Sequence, residues 1–304
     1  MKPEIENKLY KIESLWNHFI WEYKFCSRKI KFNDDVKTNY LGSILGYFSD
    51  TLDLAFSTNK PVSNSDKFSF SMSLLQAIYI HQDFIEELLE IFKTGVNKGD
   101  LKEDESYSIN RELRNELIGH PIRKFEGKLI SSTLFSYQAK QDEIQYLRYH
   151  KDNNFAFECR TVGIVEIQKR HQKFLDKYLD IILSKLNSIL NEFLLELDKV
   201  EAVKENNDFN TLLKLIELYF ESIFTSDFAY DKSSLLRIYN RKNEHLRYQN
   251  FIDCFYVDLK DYLEDTRKYL VDIFERKSRI DSDLQSFNPL TIEFVTTTLR
   301  YTFL

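Results

Sequence analysis

Lys67–Lys93 reads KFSFSMSLLQAIYIHQDFIEELLEIFK, with Leu75, Ile78, Tyr79, Ile85, Leu88, Leu89 and Phe92 recurring at mostly three- and four-residue intervals. That period lays an apolar stripe along a helix, whereas a half-buried strand alternates every second residue. Thr58–Asp66, with Pro61 and several Ser and Asn residues, is a loop before it, and Gly95 and Gly99 end it. Similar spacing appears on both sides. Ile5, Leu9, Ile12, Trp16, Phe19, Tyr23 and Cys26 predict a first amphipathic helix, with Lys24, Arg28, Lys29 and Lys31 at its C-terminal end, where cations suit the helix dipole. Asn33-Asp34-Asp35 offers an N-cap for a second helix reaching about Phe56. A long Leu- and Ile-rich helix is expected over Val165–Val200, then further helices near Thr211–Phe224 and Ser233–Arg279, the last open to a kink. Seven Gly and 4 Pro in 304 residues leave too little turn punctuation for an all-β protein.

Residues 127–162 break the helical period. Leu129–Ser136 is short and β-leaning, and Lys-Asp-Asn-Asn separates Ile144–His150 from Phe155–Val162. Phe155, Phe157 and Cys159 alternate with Ala156, Glu158 and Arg160, which is the strand period. A small β-hairpin insertion, open to a third strand, is therefore expected. The fold class is mainly α: a helical bundle over residues 1–203 with the insert near 127–162, and a helical C-terminal region over 204–304 beginning at the polar run Lys204–Asp208. Pro289–Leu304 is apolar, Thr-rich and of ambiguous type.

Cys26, Cys159 and Cys254 form neither a disulfide framework nor a CxxC pair, which points to a reducing, cytoplasmic setting. The N-terminus lacks the apolar core of a signal peptide, and no stretch approaches ~20 apolar residues, so no membrane partner is expected. Net charge is −6, which argues against non-specific coating of nucleic acid and confines any RNA contact to a local patch.

One segment carries chemistry. Residues 111–121 read Arg-Glu-Leu-Arg-Asn-Glu-Leu-Ile-Gly-His-Pro. A helix over about Glu105–Ile118 should bury Ile109, Leu113 and Leu117 and deliver Arg114 and Asn115 on its last turns. Gly119 suits a left-handed cap, and Pro121 blocks continuation and pushes His120 out of the α region. His120 then sits in an exit turn able to fold back towards Arg114. An arginine fork suits phosphate oxygens, an imidazole exchanges a proton near neutral pH, and Asn115 orients a ligand or the imidazole by hydrogen bonds. Residues 111–128 hold five basic and three acidic side chains, and Arg111, Arg123 and Lys124 are candidate substrate contacts. A structural role is also open: Arg114 pairing with Glu112 or Glu116, and His120 capping its own helix.

Arg114-Asn115, four further positions and then His120 resemble the Arg–polar…His motif of HEPN-domain proteins, of the ribonuclease and toxin type. The resemblance implies a dimerising helical bundle that brings two motifs into one cleft, and metal-independent endoribonuclease activity without a cofactor. His120 would be general acid/base as the RNA 2′-hydroxyl attacks the adjacent phosphate, Arg114 would stabilise the phosphorane, and Asn115 would position the site. A 2′,3′-cyclic phosphate and a 5′-hydroxyl are the implied products. RNA, a second copy, and an antitoxin or regulatory protein are the implied partners, in toxin or antiphage defence. Ile122 stands where one toxin subclass carries a modifiable Tyr, so that regulation is not expected here. The alternative is a non-catalytic helical module that keeps the motif for nucleotide or protein binding.

Other candidates read as structural. His81 and Asp83 with Glu86, Glu87 and Glu90 match no metal motif and suggest a solvated helix face. The same holds for Lys169-Arg170-His171-Lys173 and for Arg237, Arg241, Lys242 and Arg247, either of which would otherwise extend an RNA path. His150 and Cys159 lie on opposite arms of the hairpin and make no site, and the Phe and Tyr stripes are assigned to the core. No phosphate-binding loop, dinucleotide-binding Gly pattern or nucleophile elbow is present.

Overall fold

The structure is a computed structural model and describes residues 2–21, 23–31, 38–58, 61–135, 140–205, 208–220 and 227–275. In chain order it has α1 (Lys2–Leu15), a π-helical turn (Trp16–Ile20), α2 (Lys24–Ser27), α3 (Thr38–Ala55), α4 (Asn64–Ile91), α5 (Lys98–Glu103) and α6 (Glu105–Arg114). A second π-helical turn (Asn115–Gly119) leads into β1 (Ile122–Phe125), β2 (Lys128–Leu134), β3 (Glu143–His150) and β4 (Phe157–Gly163). The chain then continues through α7 (Ile164–Glu205), α8 (Phe209–Phe220), α9 (Asp227–Asn240) and α10 (Leu246–Glu275). The class is mainly α with a small β insertion, as the spacing predicts. The expected cap at Asn33–Asp35 and the segment Pro289–Leu304 lie outside the described residues. No described helix is long and apolar enough to cross a membrane.

The chain forms two compact units, residues 1–9 with 36–182, and residues 10–35 with 183–304. The sequence division at 203/204 follows a polar run, whereas the change of unit falls at 182/183, inside the continuous helix α7, where composition gives no mark.

In the first unit, Ser63 and Asp66 close a capping box that starts α4, and Asn97 and Asp100 do the same for α5. Leu41, Phe48, Leu52, Leu74, Ile78, Ile85 and Phe174 are buried in its core. His81, Gln82 and His171 are also fully buried, which corrects the solvated-face assignment for these three side chains, while Glu90, Lys169 and Lys173 are exposed as expected. His81 Nδ1 lies 2.9 Å from His171 Nε2, and His81 Nε2 lies 2.8 Å from Thr51 Oγ1. Both imidazoles are packed against phenylalanine rings, Phe48 on His81 and Phe56 and Phe174 on His171. An aromatic side chain with two short polar partners therefore passes for a surface residue in sequence and fills a core position in space.

The sheet is an antiparallel meander in the order β1-β2-β3-β4. Its first strand is absent from the sequence expectation. Glu126 (φ 50°) and Gly127 (φ 76°) form the two-residue turn between the paired Phe125 and Lys128, the left-handed geometry of a type I′ hairpin. Ile130, Ser132, Ile144 and Tyr146 fill the inner face. Residues on the other face of each strand, including Ile122, Leu129 and Phe157, point outward and are exposed.

In the second unit, Trp16, Phe19, Ile20, Phe193, Leu197, Phe209, Leu212 and Leu235 are buried. Phe193 packs on Tyr23 with ring centroids 4.6 Å apart, and Phe209 stacks on Tyr239 at 4.3 Å. The kink expected in the last helical segment is a full break between α9 and α10.

Candidate functional site

Helix α6 carries the motif, and its placement is fixed at both ends. Asp104 caps it by accepting from the Ser106 N–H at 2.8 Å, and also accepts from Lys177 Nζ at 2.5 Å and the Tyr178 hydroxyl at 3.0 Å. Burial alone would raise the Asp104 carboxyl, but these donors outweigh it and hold the group well below the usual carboxylate range. Further along, the fully buried Asn110 donates to the Ile167 carbonyl at 3.0 Å and accepts from Arg170 Nε at 3.0 Å. Gln82 of α4 donates to the Tyr107 carbonyl at 2.9 Å. With both neighbouring helices bonded to it, α6 has little freedom to roll. Its face differs from expectation in one position: Leu113 and Leu117 are buried, whereas Ile109 is 42% exposed.

After Arg114 the helix widens. His120 N–H donates to the Asn115 carbonyl at 2.7 Å, the five-residue step of a π turn. Such turns are rare and cluster at functional sites. His120 has φ −141° and ψ 65°, outside the α region, as expected before Pro121. Gly119 does not take a left-handed conformation, which corrects the expectation of a left-handed cap. It is needed for space: a Cβ there would lie 2.6 Å from Arg114 Nη1 and 3.4 Å from Asn115 Oδ1.

The guanidinium of Arg114 is thus set against the exit turn. Its Nη1 donates to Asn115 Oδ1 at 3.2 Å, while Nε and Nη2 donate to Gln76 Oε1 at 3.3 and 3.1 Å. Its central carbon is 3.8 Å from the Tyr79 ring centroid, and that of Arg111 is also 3.8 Å from it. The shared ring offsets part of the repulsion between two cations. Three of the five guanidinium donors are used by these bonds, which leaves two for an anion.

Arg114 and Asn115 are therefore joined directly, and His120 is tied to Asn115 through its backbone with its side chain in solvent. The weaker candidates divide. Arg111 pairs with Asp83 at 2.6 Å, Arg123 pairs with Glu116 at 3.3 Å, and Lys124 is exposed. Glu116 is not the partner of Arg114. It is buried, and it accepts from the Ser132 hydroxyl at 2.6 Å and pairs with Arg123 and Arg148, each at 3.3 Å. One carboxylate thereby ties the π turn to β1, β2 and β3.

Gln76 and Tyr79 were not legible as site residues, because Tyr79 fits the apolar stripe of α4 and Gln76 looks like surface. The i, i+3 spacing places both on one helical face, and only tertiary packing brings that face to Arg114. His150 and Cys159 take opposite faces of the sheet and form no site. Among the described residues, no group of three or more His, Cys, Asp or Glu side chains is placed to hold a metal ion. No family model, curated protein or solved structure matches this chain.

Proposed function

We propose that this chain is a metal-independent endoribonuclease of HEPN type that acts as a homodimer, its motif contributing to a shared cleft, and that it serves toxin or antiphage defence. The observation that carries this is the π turn: it holds the Arg114 guanidinium against Gly119 and Asn115 and leaves the His120 imidazole in solvent at the same exit turn. An always-charged fork with two donors to spare suits the developing charge of a phosphorane. An exposed imidazole nearby suits proton transfer from the 2′-hydroxyl and to the leaving 5′-oxygen. The step needs no co-reactant: the 2′-oxygen bonds to phosphorus, the bond to the 5′-oxygen breaks, and one proton passes from the first oxygen to the second.

A second reading is supported by the same guanidinium. Arg114 is held within its own protomer by Gln76, Asn115 and Tyr79, which also fits a module that binds nucleotide or protein without cleavage. Incubation of purified protein with tRNA and structured RNA in EDTA separates the two. Cleavage leaving cyclic-phosphate ends, lost in both Arg114→Ala and His120→Ala, is the expected result. No cleavage by dimeric wild type, or full cleavage by His120→Ala, would leave only the binding module.

A further inference from the structure

The outward face of the sheet is unusual for a surface. Ile122, Ser131, Tyr149 and Phe157 stand in one row across all four strands, through the pairs Ile122 with Ser131, Ser131 with Tyr149, and Tyr149 with Phe157. Phe157 is 65% exposed and Ile122 71% exposed. Phe155, at 62% exposed, sits with its ring centroid 6.4 Å from that of Tyr149, and Phe157 meets Tyr149 edge-on at 6.0 Å. Phe155 also has φ +59°, a left-handed conformation that bulky side chains rarely take. Asn154 has φ +51° in the same turn, and backbone conformations of this kind cluster at ligand sites.

The chemistry of this face is aromatic and polar rather than strongly charged. Arg123, Arg148 and Arg160 take the inner register and pair with Glu116 and Glu158, so the outward strand positions carry Lys124 and Glu143. Lys124 lies on the outward face of β1, and Lys151 follows β3. Asp152, the acid beside that turn, is paired with Lys128. Ser131, Thr133, Gln145 and Thr161 share the parity of the aromatics and supply hydrogen-bonding groups among them. Aromatic rings interleaved with polar groups and lysines make a stacking platform for bases, since every base presents a π face. The platform adjoins the candidate site: Ile122, at the near end of the row, is two residues beyond His120, and Phe157 is three strand spacings away, roughly 14 Å.

We propose that this outward sheet face is a binding surface for single-stranded RNA, on which unpaired bases stack against Tyr149, Phe155 and Phe157 as the strand passes over β1 from the His120 turn. The proposal rests on the nuclease reading in taking the bound RNA as the substrate, and it names that substrate as unpaired. Paired bases are stacked on one another and cannot open onto the rings.

The test is fluorescence anisotropy with a short single-stranded RNA fully 2′-O-methylated, which cannot undergo 2′-hydroxyl attack, and with its duplex. Wild type should bind the single strand more tightly than the duplex. Phe157→Ala should weaken that binding roughly 10-fold, the scale of one lost stacked base. Phe157→Trp should retain it. Wild-type affinity in Phe155→Ala/Phe157→Ala, or equal affinity for duplex, would overturn the proposal. So would loss of self-association in Phe157→Ala with RNA affinity unchanged, which assigns the face to a second copy. Ring-dependent binding by a protein that cleaves nothing keeps the platform and removes the nuclease. Cleavage with ring-independent binding does the reverse.

Discussion

Arg114 occupies the space that any side chain at position 119 would need. A Cβ on Gly119 would approach Arg114 Nη1 to 2.6 Å, and the guanidinium, the mobile end of a long side chain, is what would give way. Gly119→Ala should therefore turn Arg114 away from Asn115 while the helix, capped and bonded elsewhere, stays in place. Cleavage is expected to fall roughly 10- to 100-fold, the penalty of misplacing a reacting group by about 1 Å. The free energy of unfolding should change by less than about 1 kcal/mol. Single-turnover cleavage together with urea titration checks both halves, and wild-type cleavage by the alanine variant would break the link between the glycine and the arginine.

Glu116 should contribute stability more than chemistry. Its side chain is 10% exposed and is the common partner of Ser132, Arg123 and Arg148, the last 16% exposed. Glu116→Ala leaves two arginines without their carboxylate in a largely dry site, at a cost of about 3 kcal/mol. Glu116→Gln retains an acceptor for Ser132 and should cost less. Urea unfolding of both variants measures the order, and an alanine variant as stable as wild type would show the cluster to be solvated.

What the sequence discloses divides along the range of the interactions. The stripes of α1, α4 and α7 and the strand alternation of β4 are local periodicities, so helices and hairpin are legible. So is the exit of the chain at His120, since Pro121 acts on its immediate neighbour. The first strand escapes because it is four residues long and includes Arg123 and Lys124, with only the Glu126-Gly127 turn to signal it. Gly119 suggests a left-handed cap because glycine usually marks one, yet its role is to make room for a side chain five residues back. Gln76, Tyr79 and Glu116 take their roles from partners on other elements, and no period within their own segments predicts those partners.

Arginine at 114 should not be replaceable by lysine. The guanidinium makes a bidentate contact with Gln76, a bond to Asn115 and a stack on Tyr79, and an ammonium can reproduce the charge but not this planar set. Arg114→Lys is expected to cleave within about 10-fold of the alanine variant and to lose about 1 kcal/mol of stability with the hydrogen bonds. Parallel kinetics and thermal unfolding of the two variants test this. Near-wild-type rates in the lysine variant would mean that only the positive charge matters.

The buried imidazoles should make the first unit sensitive to acid. Thr51 Oγ1 donates to the Tyr47 carbonyl at 2.8 Å, so it accepts from His81 Nε2, and His81 Nδ1 in turn accepts from His171 Nε2. His171 Nδ1 has no hydrogen-bond partner among the described residues. A proton added at His81 Nδ1 would face another N–H across 2.9 Å. Burial accordingly lowers His81 to about 3, and burial together with His81 lowers His171 well below its ordinary value. Both groups are neutral in the fold and protonate near pH 6.5 once unfolded, so the unfolded chain binds more protons below that pH. Stability from the pair is therefore complete above about pH 6.5 and declines as pH falls towards 3, by up to about 1.4 kcal/mol per pH unit for each histidine. His171→Phe, whose ring would lie between Phe56 and Phe174, should flatten the decline by one histidine's share. Urea unfolding of both proteins from about pH 7 to about pH 4 isolates the effect, because carboxylates add equally to each profile. Identical slopes would mean that His171 already carries its proton in the folded protein or that water reaches it.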